Sequence, residues 1–474
     1  YKHLINQCKA QIGFNNVGFD YPILHEFIKT FNVNNSAQQN IDIIYNKAQQ
    51  IIESQSFGEN KFNGLKEKDF YIKQLDLFLL YHFNNMARST SLKALEISMN
   101  FPNVMEMPIE HTKEDVELED IDDILEYNLN DVLATYEFYK RSLNKINLRK
   151  DLNVKYNLNC SNFSDSKIGE QLVLKLYCDA TSSNKWDIQK LRTKRDEIDL
   201  KDAIFDYIEF ETKQFNDLLV WFKSKTIKDT KSSIKRSILL DNIKIEYGLG
   251  GVHAACKAGI YEPKDDEYIM SLDVASLYPS IAVINKLYPE HLGIQFCGVY
   301  EGILNQRIEA KKAGNMTLSD GFKLSLNSVY GKSNDKYSFL NDSLYTMKTT
   351  LNGQLLISML IERLIKEKFV ILMINTDGLE CIVPKNKIDI YYKICSEWEK
   401  ETKLVLEYVN YTKMIISDVN NYISVSDKGK IKYKGRYVID KELHQDNSFR
   451  ITSIALSEYF INSVPIKETI ENHK

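Results

Sequence analysis

Tyr268-Ile269-Met270-Ser271-Leu272-Asp273 is almost wholly apolar, too short for a helix, and ends on a carboxylate. A second such run, Lys368 to Val383, is broken at its centre by Asn375-Thr376-Asp377-Gly378. Short apolar runs bounded by turn residues read as buried strands, and the polar break reads as the turn of a β-hairpin. Helical patterns lie between them, at about 299–314, 319–334 and 350–367, and a further hairpin turns at Asp427-Lys428-Gly429. This order suits an open α+β sheet with helices on one face. If the two Asp-bearing strands are neighbours, Asp273 and Asp377 meet at one sheet edge.

Upstream, Gln11 to Asn15 reads as a strand, Tyr21 to Phe31 as a helix, and Ile121 to Leu143 as a helix behind an acidic first turn. The α/β alternation of the first 150 residues implies a sheet with flanking helices. Residues 151–240 are polar and largely helical, and the main boundary is expected at their basic end, Lys223 to Ser237.

The chain has 474 residues, 43% hydrophobic and 27% charged, enough for several cores. Its net charge of −4 announces no nucleic-acid binder, but the charge is uneven. Lys223 to Arg236 and Asp427 to Arg436 are basic, and Glu114 to Asp131 is acidic. Each run taken alone reads as a solvated face. The seven cysteines form no C-x-x-C pair, which argues against a zinc knuckle or disulfide framework and suits a reducing cytosol. No apolar run is long enough for a membrane span, and the start has no signal-peptide pattern.

Two carboxylates at one sheet edge can hold divalent metal ions for phosphoryl transfer, which asks of a protein mainly positioning and charge. A lone Asp at a strand end is more commonly a turn or cap residue. The surroundings change that balance. Asp273-Val274-Ala275-Ser276-Leu277-Tyr278-Pro279-Ser280 resembles motif A (D-x-x-S-L-Y-P-S) of family B DNA polymerases, in particular those of bacteriophages. Lys323-Leu324-Ser325-Leu326-Asn327-Ser328-Val329-Tyr330-Gly331 resembles motif B (K-x-x-x-N-S-x-Y-G), and Asn375-Thr376-Asp377-Gly378 stands where motif C (D-T-D-S) belongs.

The resemblance implies that Asp273 and Asp377 ligate two Mg²⁺ ions, with Mn²⁺ as a substitute, joined by the Val274 carbonyl. The amides of Ser276 and Leu277 would cradle the triphosphate, and Tyr278 would exclude a 2′-hydroxyl. Arg307, Lys311, Lys323 and Asn327 would face the nucleotide. Tyr330, Gly331, the Y-x-G-G-like Tyr247, Gly250 and Gly251, and the K-x-Y-like Lys434 and Tyr437 would face DNA. Asn15 and Asp20 fit the second motif of the family's 3′→5′ exonuclease (N-x-x-x-F-D), and Tyr127 and Asp131 fit the third (Y-x-x-x-D). Asp20 and Asp131 would be metal ligands there.

The implied architecture is α+β and multidomain. It has an RNase H-like exonuclease domain at 1–150, a helical connection at 151–240, and a right-hand polymerase. The polymerase has an antiparallel-sheet palm at 241–298 and 346–436, short helical fingers at 299–345, and the start of a thumb at 437–474. The implied activity is addition of dNTPs to a primer 3′-hydroxyl on a DNA template, by a monomer working with phage replication proteins in a bacterial cytoplasm.

Several departures qualify this. No D-x-E, the first exonuclease motif, stands on an opening strand ahead of Asn15, so this chain by itself is expected to show little exonuclease activity. A partial thumb is expected to weaken grip on the duplex. Gly435 stands where a second Lys is common. The short stretch between Ser280 and Lys323 leaves no room for the insertion of protein-primed members, which favours a nucleic-acid primer. Asn375 and Gly378 depart from motif C, so a non-catalytic DNA-binding remnant stays open as an alternative, as does a nuclease with a scaffolding polymerase half.

Overall fold

The computed structural model describes residues 7–56, 65–110, 116–240, 243–443, 445 and 448–473. Glu114 and Asp115, the start of the acidic run, lie outside them. The chain divides into two compact units, one of Tyr1–Ile168 with Glu442–Asn447 and one of Gly169–Lys441 with Ser448–Lys474. The division falls inside the segment expected to connect the domains, and not at Lys223 to Ser237.

In the first unit, β1 (Ala10–Gly13) leads into α1 (Asp20–Thr30) and α2 (Ala37–Ser56), and β1 pairs in parallel with β2 (Lys73–Asp76). Among the described residues this sheet has two strands, fewer than the alternating pattern implied. Helices α3 (Leu92–Ser98), α4 (Asp120–Arg141) and α5 (Leu143–Tyr156) follow. Leu77, Leu80, Phe83, Leu95, Met99, Phe138 and Ile146 form the core. Asp76 is fully buried and accepts from the amides of Asn15 (2.9 Å), Val17 (3.0 Å) and Phe78 (2.9 Å). One carboxylate therefore caps the short helix Leu77–Leu80 and closes the loop after β1. Burial outweighs these bonds and pushes its pKa up to about 6.

The second unit begins within α6 (Asp165–Thr181), which is followed by α7 (Lys213–Lys223). Its core element is a 10-stranded sheet. The strands are β3 (Arg236–Leu240), β4 (Ile243–Tyr247), β5 (Val252–Ala255), β6 (Gly259–Tyr261) and β7 (Glu267–Val274). After α8 (Leu277–Ile284), α9 (Gln295–Lys312), α10 (Met316–Ser333) and α11 (Ser343–Lys366) come β8 (Val370–Asn375) and β9 (Gly378–Pro384). Past α12 (Ile388–Thr402) lie β10 (Leu406–Asp418), β11 (Asn421–Ser426) and β12 (Ile431–Tyr433). The order is β12-β11-β10-β7-β9-β8-β5-β4-β3, with β6 also on β10. Every one of these pairings is antiparallel. Both expected hairpins are present.

Helix α11 is buried along most of its length, so its polar side chains need internal partners. Asn352 bonds the Ala203 carbonyl (2.7 Å) and the Phe205 amide (2.8 Å). Gln354 donates to the Gly248 carbonyl (2.8 Å), and Glu362 accepts from the amides of Glu211 and Thr212 (3.1 and 2.7 Å). The helix thereby holds in place the loops that precede the sheet. At the carboxyl end, α13 (Arg450–Asn462) and α14 (Ile466–Asn472) meet at Pro465, which starts the second helix because its ring cannot continue the first.

Replacing Asp76 by Ala leaves three amides without their acceptor. The expected cost is about 2 kcal/mol of local stability. Hydrogen exchange should then quicken roughly thirtyfold in peptides spanning residues 10–20 and 73–83, with the second unit unchanged.

Candidate active site

The two aspartates of the second unit are brought together by strand register. β7 and β9 pair antiparallel with Gly378 opposite Asp273, and Asp377 occupies the turn just before β9. The Val274 amide donates to the Asp377 carbonyl at 2.7 Å, so the two aspartates are joined through backbone at the sheet edge. A Cβ at Gly378 would lie 2.2 Å from Asp273 Oδ1 and from the Leu272 carbonyl. A side chain there would force Asp273 or the strand backbone to shift, so the close approach favours glycine. The turn itself is Thr376–Asp377 with ordinary negative φ, not an Asn-Gly turn; Asn375 pairs across it with Gly378.

Burial raises the pKa of Asp273; the Lys432 cation lowers it, and Asp377 and Glu407 raise it. Sequence reasoning did not single out Glu407, which pairs opposite Asp273 on β10. It also missed Glu380, buried opposite Ser271, whose hydroxyl donates to it at 3.3 Å. Burial, followed by the Asp273 charge, pushes Glu380 up to about 8. Lys432, on β12, lies 5.7 Å from the Tyr422 ring centroid. Only the alternation of charged with apolar residues along these strands could have marked them, and that alternation does not tell which strands meet.

The donors are hard oxygens. Among the described residues no three His, Cys, Asp or Glu side chains are grouped to hold a metal by themselves. Two adjacent carboxylates and a carbonyl, with water completing the shell, nonetheless suit Mg²⁺, which keeps much of its hydration. A divalent cation would also offset the mutual repulsion that raises Asp273.

Ser276 precedes α8 in the left-handed region (φ +52°), so the chain turns sharply after Asp273. Its hydroxyl accepts from Arg307 Nη1 at 2.6 Å, which ties α9 to this turn. Leu277 is buried at the start of α8. Tyr278 is fixed on two sides, with its hydroxyl 3.3 Å from the Gly250 carbonyl and its ring 4.4 Å from that of Tyr330. Lys311 on α9 and Lys323 and Asn327 on α10 are exposed. The two helices are tied by the Tyr300 hydroxyl, which donates to the Leu326 carbonyl at 2.8 Å. Gly331 is exposed. Gly251 lies against Thr376, whose hydroxyl is 3.2 Å from His253 Nε2.

Two expected DNA contacts are corrected. Tyr247 is 1% exposed, with its hydroxyl on Ser358 (2.9 Å), so its side chain is core; the adjoining glycine loop is what reaches the site. Tyr437 is likewise buried, against Ile415, Ile423 and Phe460. Lys434 beside it is exposed. Gly435 has φ +60°, and a Cβ there would lie 2.3 Å from the Asn420 carbonyl, so a second lysine would not fit.

In the first unit, Tyr127 and Asp131 lie one turn apart in the middle of α4 and hydrogen-bond one another. Lys93, also missed, lies 5.3 Å from the Tyr127 ring centroid and pairs with Glu96 at 3.2 Å. Burial raises the Asp131 pKa, and Lys93 and Tyr127 lower it. Asp20 opens α1 without capping it, and Asn15 (φ +58°) forms the turn before it.

Glu380 gives a pH prediction. Its folded pKa exceeds the ordinary 4.5, so the folded chain keeps a proton that the unfolded chain releases. Stability from this group is full below about pH 4.5 and falls as pH rises toward 8. Without divalent ions, Glu380→Gln should melt near the wild-type temperature at pH 5 and above it at pH 8 to 9.

Residues 1–162 match a family model described as a predicted 3′-5′ exonuclease related to the exonuclease domain of PolB. No curated protein matches the chain. Among solved structures, the family B DNA polymerase from the hyperthermophilic archaeon Pyrobaculum calidifontis aligns over 97% of this chain at 12% identity, with a TM-score of 0.45. The chain spans 58% of the length of that polymerase. Its amino-terminal region is thus similar to the PolB exonuclease domain.

Proposed function

We propose that the chain is a template-directed DNA polymerase that extends a primer 3′-hydroxyl, related to family B and to its bacteriophage members. The observation that carries this reading is the register that sets Gly378 against Asp273 and so brings Asp377 beside it. The motif resemblance supplies the polymerase and phage assignments, and the match of residues 1–162 to a PolB-related exonuclease supports the relation to family B.

Asp273, Asp377 and the Val274 carbonyl would hold two Mg²⁺ ions, which supply charge stabilisation and alignment for in-line displacement at the α-phosphate. The exposed cations of α9 and α10, Lys311 and Lys323, bind the triphosphate, and the Arg307–Ser276 bond positions these helices over it. The amides at Ser276 and Leu277 open α8 and present N–H groups to phosphate oxygens. Tyr278, in contact with Gly250 and Tyr330, sets its ring where a 2′-hydroxyl would meet it. Gly250 and Gly251 let template backbone approach closely. Asp20, Tyr127 and Asp131 form part of an exonuclease site. Asn375 is compatible with activity, because the carboxylate that meets Asp273 comes from Asp377.

The test is extension of a primed DNA template with Mg²⁺ and four dNTPs. Wild type should extend, while Asp273→Asn and Asp377→Asn should each lose activity by about a hundredfold or more with DNA binding retained. Extension that survives both substitutions would refute the site. DNA binding without extension by wild type would identify a non-catalytic remnant.

A further inference from the structure

The basic segment Lys223–Arg236, with six cations against Asp229, has no part in the site described above. It joins α7 to the edge strand β3. Lys223, Lys228, Lys231 and Lys235 are exposed. Carboxylates around it each have a lysine partner outside the segment, Asp217 with Lys213 (2.5 Å), Glu246 with Lys244 (2.7 Å) and Asp199 with Lys201 (3.4 Å), although Asp199 also accepts from the Thr226 hydroxyl and Glu246 is close enough to feel the Lys235 charge. Asp229 folds back on the segment, accepting from the Lys231 amide at 2.7 Å.

The segment is anchored along its length, with Thr226 and Ile227 paired antiparallel to Asp199 and Ile198. Near its two ends, the Lys225 ammonium and the Arg236 guanidinium lie 5.4 and 5.5 Å from the ring centroid of Trp221 on α7. At its middle, the Thr230 hydroxyl donates to the Asn334 side chain, just past α10. Arg236 also pairs with Tyr247, the residue before the Gly248–Gly251 loop. The cations therefore run between the end of the helix bearing Tyr330 and the glycine loop that meets Tyr278 and Thr376. Beyond Asn334, Tyr337 is 77% exposed with the Lys336 ammonium 5.2 Å from its ring centroid.

We propose that Lys223, Lys228, Lys231, Lys235 and Arg236 form a phosphate-binding track for single-stranded nucleic acid, the unpaired template ahead of the site. A row of cations tied down along a folded segment suits a polyanion with regular spacing, and an exposed aromatic beside it suits unpaired bases. The identification of that strand as template rests on the polymerase reading; the track itself rests on the charge and its anchoring.

The test is fluorescence anisotropy with the full chain and two hairpin primer–templates, carrying 5′ overhangs of about two and about fifteen nucleotides. Wild type should bind the long overhang about tenfold more tightly at low salt. A variant combining Lys228→Glu, Lys231→Glu and Lys235→Glu should lose that preference, with its salt slope on oligothymidylate smaller by about two. All three substitutions lie on the surface loop, and unchanged affinity for the short-overhang hairpin would show that the variant is folded. A wild type indifferent to overhang length, or a variant that keeps the preference, overturns the track. So does displacement of oligothymidylate by polyglutamate at equal charge concentration, which would mark an acidic protein as the better occupant. Loss of the preference in a protein that fails to extend primers would leave the track standing and remove the polymerase reading. Extension with a preference the variant retains would do the reverse.

Discussion

The antiparallel pairing of β7 with β9 is the constraint on which the candidate site depends. A shift of one residue would carry Asp273 to the other face of the sheet and away from the turn that bears Asp377. That register is held by a run of consecutive pairs from Gly378–Asp273 to Pro384–Glu267, and by the amide bond from Val274 to Asp377. It also favours glycine at 378, because a side chain there would force Asp273 or the strand backbone to shift.

Around that pairing the second unit is built to resist movement at the edge. Helix α11 spends its buried polar groups on the backbone of the loops at 203–212 and at Gly248. Gln354 thus braces the glycine loop from behind, and Tyr278 leans on the same loop from the other side. Buried groups that must be satisfied make such contacts specific, because each lost partner costs more than a made bond gains. Lys311 and Lys323, by contrast, are exposed on their helices.

Much of this was legible in the sequence because short apolar runs and turn residues act locally. The strand ending at Asp273 and the hairpin around Asp377 needed no long-range information. The reason for Gly378 did not follow from its own segment, since it lies in the position of Asp273, one hundred residues away in the chain by order of magnitude. Glu407, Glu380 and Lys432 were missed for the same reason. Their positions are set by which strands neighbour β7. Tyr247 and Tyr437 show the converse difficulty: an aromatic beside a glycine or lysine reads the same whether it faces a ligand or a core. Here the Ser358 hydroxyl and the Phe460 ring claim them. In the first unit, α/β alternation implied a sheet with flanking helices but not the parallel partner of β1, and the contact of Lys93 with Tyr127 depends on a helix packing that periodicity does not disclose.

The most direct measurement is the binding of Mn²⁺, as a spectroscopic substitute for Mg²⁺, to the chain with primer–template and dNTP. If Asp273 and Asp377 form one two-metal site, electron paramagnetic resonance should show two coupled ions about 3.5–4 Å apart. Asp273→Asn and Asp377→Asn should each abolish that coupling. The same two-ion signal in both variants would place the metals elsewhere and contradict the account.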